Sequence, residues 1–317
     1  MASVDSPSYV CPDCHGWLVR AEASFGCGHC NKSYPVSSGV ADFSGGRYYD
    51  NFTPGQALSE SEMEGLSNEL PGAAARIRDY YLPLLERERT AANRPPRVLD
   101  SGCGNGLSVD LLTDGGFESW GVDLSALRKW QWRERIRRDH LSCADSFRLP
   151  FADGFFDAIV CSGVLEHVGV RESRGDRYRV TVLEDRDSER IRFLNEHLRV
   201  LAPKGVIWLD FPNGSFPIDF WHSERPGAPR WHSRAEGFLP TVADIRRYVS
   251  ALPGRWHVTP RGPAGRLQFR QVSRRWYGKL LARPMALWLR LLGVRPFSTL
   301  IATGFNPFLV LELRRER

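Results

Sequence analysis

The chain has 317 residues, 42% of them hydrophobic and 25% charged, with a net charge of +6. Those proportions are ordinary for a soluble globular protein, and the length allows a full α/β domain plus a smaller one. The start, MASVDSPSYV, lacks the basic flank and apolar core of an export signal, and no apolar run reaches the span of a bilayer, so a cytoplasmic protein is expected rather than a secreted or membrane-spanning one.

In chain order, the first feature is two cysteine pairs, Cys11 and Cys14 in CPDC, then Cys27 and Cys30 in CGHC. Each CxxC turn directs two thiolates at one point, so the four predict a tetrahedral zinc site; two disulfides are the alternative in an oxidising compartment. A core this small needs a metal to hold it. With four thiolates in place the zinc is structural, no position remains for an activated water, and His15 and His29 are expected at the surface. The following NKSYPVSSGVADF, with its Tyr-Pro-Val, Gly-Val and Asp-Phe, resembles the ending of the small zinc-ribbon proteins that activate tRNA and protein methyltransferases. That resemblance covers residues 1–43, and comparable ribbons occur fused ahead of bacterial methyltransferase domains.

Residues 44–93 turn polar, with Gly45, Gly46, Pro54, Gly55 and Pro71 as punctuation, and read as a linker followed by helices. In the last of these, Ile77, Tyr80, Tyr81, Leu84 and Leu85 fall on one apolar face.

Residues 94–317 form the main domain. It opens on RVLDSGCGNG, Arg97 to Gly106, a short apolar strand ending at Asp100 and breaking into a loop with glycine at 102, 104 and 106. Glycine there permits positive φ and close approach of a ligand to the backbone. The next segment, LSVDLLTDGG, reads as a helix with its stop signal. A dinucleotide fingerprint wants its third glycine at Leu107, one residue later than this chain has it. The spacing instead resembles motif I of the class I S-adenosylmethionine-dependent methyltransferases.

Later segments match that family in order. SWGVDLS ends a second strand at Asp123, at the distance expected of a ribose-binding carboxylate. Cys143 to Val168 carries an acidic residue, a Leu-Pro-Phe turn, Phe-Asp, a strand and Leu-Glu-His; Arg199 to Asn213 looks like a helix end, a Pro-Gly turn and the fifth strand.

The resemblance implies an α/β fold, a Rossmann-like seven-stranded mostly parallel sheet with helices on both faces, beside the zinc ribbon. It also implies roles toward S-adenosylmethionine. Asp100 and the backbone at Gly102, Gly104 and Gly106 belong with the methionine part, Asp123 and Leu124 with the ribose. Asp145 and Ser146 belong with the adenine, and Ser162 and Gly163 lie where the family's chain passes under the methionine. Tyr48, Tyr49 and Tyr81 are placed over the cofactor by the same likeness. For Cys103, Cys143 and Cys161 small buried packing is expected.

Two insertions flank the acceptor side, about residues 168–190 and 214–240. His167 in LEHV is one candidate base, against a purely structural role. The second insertion gathers Asp219, His222, Glu224 and His232 among Phe216, Phe220, Trp221 and Trp231, without regular metal-ligand spacing. Aromatic walls with a few ionisable groups suit a ring or lipid-like acceptor, and His222 is the preferred base.

From Arg261 onward twelve cations face only Glu312 and Glu316, so the positive charge is concentrated there. Such asymmetry fits an anionic partner: a membrane surface, a phosphorylated acceptor or nucleic acid. WYGKLLARPMALWLRLLGV suits a helix, broken near Pro284, that packs its apolar side on the domain, lies at a lipid interface or binds RNA, and PFLVLELRR a last antiparallel strand.

The motif style resembles the ubiquinone/menaquinone-biosynthesis branch. A small or lipid-linked acceptor is therefore favoured, with peripheral contact with the inner face of the membrane. FPNG after the fifth strand is not the Asn/Asp-Pro-Pro-Tyr/Phe of base-amine enzymes; an rRNA or tRNA methyltransferase using the ribbon for substrate is the second reading, and an inactive binding protein of the same fold the third.

Overall fold

The computed structural model describes residues 9–53, 55, 69–89, 94–174, 178–223, 227–262, 272 and 275–316. Glu224, Pro54 and the cations Arg266, Arg270, Arg274 and Arg317 lie outside them. In chain order, β1 (Leu18–Arg20), β2 (Ser24–Cys27), β3 (Ser33–Ser37) and β4 (Val40–Asp42) precede α1 (Leu82–Glu86) and β5 (Arg97–Ser101). Next come α2 (Leu107–Asp114), β6 (Glu118–Asp123), α3 (Ala126–Gln131), β7 (Leu141–Cys143) and β8 (Phe156–Ser162). Then follow β9 (Val170–Arg174), β10 (Tyr178–Val182), α4 (Arg186–Val200) and β11 (Leu201–Pro212). The last elements are β12 (Ile218–Asp219), β13 (Arg230–Trp231), α5 (Val242–Ser250), β14 (Trp256–Pro260), α6 (Trp276–Leu291) and β15 (Phe308–Arg315).

These elements form two compact units. The first comprises Met1–Ala57, Tyr81–Val160 and Phe193–Val206; the second comprises Leu58–Tyr80, Cys161–Arg192 and Ile207–Arg317. Strands β8 and β11 each run from one into the other.

In the first unit the strand order is β1-β2-β3-β4-β7-β6-β5-β8. Strand β4 is antiparallel to β3, whereas β4 with β7, β7 with β6 and β6 with β5 pair in parallel, with Asp100 opposite Gly121 and Asp123 opposite Cys143. Val98, Leu99, Val122 and Leu141 are fully buried, as parallel strands covered on both faces require. The four-cysteine segment is built into this sheet: β4 pairs with β7, and Tyr9 packs on Phe25, Phe43 and Phe151 with ring centroids 4.9 to 5.5 Å apart.

In the second unit the order continues β8-β11-β15-β14, with β15 antiparallel to β14. Without the four ribbon strands the order runs over seven, β7 to β14, a mixed sheet with a parallel core at β7, β6 and β5. Pro203 to Gly205 form no separate turn, because β11 already begins at Leu201. Insertion 168–190 folds into the β9–β10 hairpin, Tyr178 buried within it, and the start of α4.

Helix α6 is not broken at Pro284. Pro284 lies on the exposed face, where water can satisfy the carbonyl its ring deprives of a partner. Of the expected apolar face ahead of β5, Ile77, Tyr81 and Leu85 are buried.

Candidate functional sites

In the first unit the Asp100, Asp123 and Asp145 carboxylates stand at or just past the C-terminal ends of β5, β6 and β7, adjacent parallel strands. Ligands of open α/β sheets bind at that edge. Gly102, Gly104 and Gly106 all have positive φ, 80°, 54° and 75°. At Gly106 an added Cβ would stand 2.7 Å from Leu141 and 3.0 Å from Trp132, so the turn needs glycine twice over. The Gly104 N–H donates to Asp123 Oδ2 at 3.0 Å, and the Trp132 indole donates to Gly104 O at 2.8 Å. Burial pushes the Asp123 carboxyl up to about 6, against the Gly104 bond.

Other expected residues lie close by. Leu124 O accepts from Tyr49 N at 3.1 Å, and Asp50 accepts from Ser125 and, at 3.2 Å, from Ala126 N, which fastens the chain after the ribbon to the end of β6. Tyr48 instead donates to Asp42, beside Lys129, and Tyr81 is buried. Asp145 accepts from Phe147 N at 3.0 Å, shaping its own turn. Ser146 bonds Ser101 at 3.2 Å, and Ser101 bonds His197 Nε2 at 2.8 Å. His197, fully buried, is pushed down to about 4 and is neutral at pH 7. Cys103, Cys143 and Cys161 are buried.

The four ribbon cysteines are also in this unit. All are free thiols with Sγ atoms within 4.8 Å of one another; Cys11 and Cys30 are 3.6 Å apart, Cys14 and Cys27 3.4 Å. Zinc–sulfur bonds of about 2.3 Å put tetrahedral thiolates about 3.8 Å apart, so the donor set fits. Two matching turns make it: His15 N donates to Cys11 O and Asn31 N to Cys27 O, with φ of 59° at both His15 and Asn31. His15 and His29 are exposed.

The second unit holds Ser162 and Gly163 at the end of β8. Ser162 donates to Asp210 at 2.5 Å and accepts from Arg76 at 2.8 Å, partners that nothing in the sequence marks. It also brings His167 and His222 together, ring centroids 5.0 Å apart. Each imidazole has a carboxylate at Nδ1: Glu172 of β9 for His167, and Asp219 at 2.9 Å for His222. Glu172 also accepts from Tyr178 at 2.5 Å; burial raises its carboxyl, but His167 and Tyr178 outweigh this and hold it near about 2. Asp219, fully buried, caps the turn by accepting from Trp221 N and His222 N, and Arg230 donates to it at 3.1 Å. Buried Arg190 donates from Nε to the carbonyl of Val168 and from Nη2 to those of Glu166 and Phe238. His232 is not part of this cluster. Phe220 and Trp221 pack beneath α6 with Leu289, Leu292 and Ile301, and Trp231 is 73% exposed.

Residues 99–209 match the family model described as a methyltransferase domain. This segment is a class I S-adenosylmethionine-dependent methyltransferase domain. Over 148 residues the chain is 28% identical to an uncharacterised protein of Methanocaldococcus jannaschii, covering 47% of this chain and 61% of that one. Over 116 residues it is 28% identical to a probable S-adenosylmethionine-dependent methyltransferase of Mycolicibacterium smegmatis, covering 37% and 38%. Over 144 residues it is 27% identical to norajmaline N-methyltransferase of Rauvolfia serpentina, covering 43% and 42%. The chain spans less than two thirds of the length of each of these relatives. The matched segment contains the glycine loop, the three aspartates and His167, but not His222 or the ribbon cysteines Cys11, Cys14, Cys27 and Cys30.

Proposed function

We propose that the whole protein transfers a methyl group from S-adenosylmethionine to a small-molecule or lipid-linked acceptor. The observation that carries the reading is the row of three carboxylates at neighbouring strand ends beside a loop of positive-φ glycines. Asp100 with Gly102, Gly104 and Gly106 takes the methionine part, where a carboxylate can accept from an ammonium. Ser162 and Gly163 serve the same part. Asp123 and Leu124 take the ribose, and Asp145 and Ser146 the adenine.

When bound, the cofactor supplies an activated methyl group on sulfur, so the protein mainly orients donor and acceptor and takes up a proton. His222 and His167 handle that proton, each held by its own carboxylate. Cys11, Cys14, Cys27 and Cys30 hold a structural zinc ion. Two features favour a small or lipid-linked acceptor: the aromatic segment around His222, and a relative whose name is that of a small-molecule enzyme.

The partner surface is an anionic membrane. Helix α6 exposes Trp276, Leu280, Leu281 and Leu287 beside Lys279, Arg283 and Arg290, the mix that seats a helix at a lipid interface. No helix among the described residues is long and apolar enough to cross a membrane.

The test supplies methyl-labelled S-adenosylmethionine with fractionated cell extract. Label entering the lipid or small-molecule fraction is expected, falling about 100-fold in His222→Ala with affinity for S-adenosylhomocysteine unchanged. Label entering RNA or protein overturns the acceptor assignment.

A further inference from the structure

Glu166, His167 and His222 offer one carboxylate oxygen and two imidazole nitrogens, all within 4.8 Å of one another. Glu166 is 1% exposed, and its Oε2 has no hydrogen-bond partner among the described residues. An unsatisfied carboxylate oxygen is costly at such depth. Nε and Nη2 of nearby Arg190 donate to the backbone carbonyls of Val168, Glu166 and Phe238.

The two imidazoles are arranged as metal ligands are. Each has Nδ1 against a carboxylate, Glu172 or Asp219, so coordination falls to Nε2, and the outer carboxylate fixes the ring and raises its basicity. Metal bonds of about 2.1 Å place ligand pairs about 3 to 4 Å apart, and the ligand atoms of this cluster lie within 4.8 Å of one another.

We propose that Glu166, His167 and His222 form a second metal site, taking a divalent first-row transition cation of the zinc, manganese or iron class. Two nitrogens and one carboxylate disfavour magnesium and calcium, which prefer all-oxygen shells. Three protein ligands leave positions open for oxygen atoms of an acceptor; with the cation bound both imidazoles are ligands, and lowering of the acceptor's pKa by the metal takes the place of direct proton uptake by His167 and His222. The proposal rests on the acceptor-side reading of these histidines only for the use made of the cation; the binding itself is measured with no acceptor or cofactor present.

The full chain, stripped of metal, is titrated with Co2+ alone and followed by visible absorption and bound-metal analysis. Two ions per chain are expected, one with thiolate-to-metal charge transfer from the cysteines and one without. Glu166→Gln and His222→Ala should each reduce the count to one and leave the thiolate band intact. Asp219→Asn, which preserves side-chain shape, should keep the second site but weaken it about 10- to 100-fold. A wild-type count of one overturns the proposal whatever the variants do. So does a second ion that survives His222→Ala and Glu166→Gln, or whose affinity is unchanged in Asp219→Asn.

Discussion

At the scale of single residues, Asp123 makes a pH-dependent prediction. Its carboxyl, raised by burial to about 6, must be ionised to accept from ribose hydroxyls. Below that pH a proton must leave before ligand binds, so affinity for S-adenosylhomocysteine should fall about tenfold per pH unit below about 6 and level off above it. Calorimetry across pH 4.5 to 8 checks this, and Asp123→Asn should erase the break. Gly106→Ala, which meets both a positive φ and Leu141 at 2.7 Å, should lower unfolding stability by about 1–3 kcal/mol in denaturant titrations. These residues were legible because glycine spacing and strand-end aspartates are local signals. Glu172, Arg190 and Asp210 were not: a carboxylate in a charged insertion gives no sign that it will meet a histidine, and the Arg76–Ser162 bond joins residues 86 positions apart.

At the scale of elements, the ribbon and α6 carry the predictions. The CxxC pairs announced a cluster of four thiols, but nothing in VAD at 40–42 announced a strand beside β7, since its partners Ser142 and Cys143 lie a hundred residues on. That pairing links the cysteines to the stability of the first unit. Stripping the metal with a chelator, or Cys14→Ser, should therefore lower the thermal midpoint of the whole first unit rather than fray a tail, as scanning calorimetry would register. Helix α6 was readable as a basic, aromatic helix, yet its continuity through Pro284 depends on which face meets water. The triple variant Trp276→Ala, Leu280→Ser, Leu281→Ser touches only exposed side chains. It should leave the thermal midpoint within a few degrees and reduce binding to phosphatidylglycerol vesicles at least tenfold in sedimentation; undiminished binding removes α6 from the membrane account.

At the scale of the molecule, charge and chemistry are both divided. The net positive charge lies from Arg261 onward, the strand-end aspartates and ribbon cysteines lie in the first unit, and the histidine pair with its carboxylates lies in the second. Everything proposed about acceptors presupposes that the strand-end carboxylates hold the methyl donor. Titration of the intact chain with S-adenosylhomocysteine, beside Asp123→Ala, tests this most directly. One saturable site per chain is predicted, weakened about 100-fold by the substitution, about 3 kcal/mol. No binding by the wild type at millimolar ligand, or equal affinity in the variant, would contradict it.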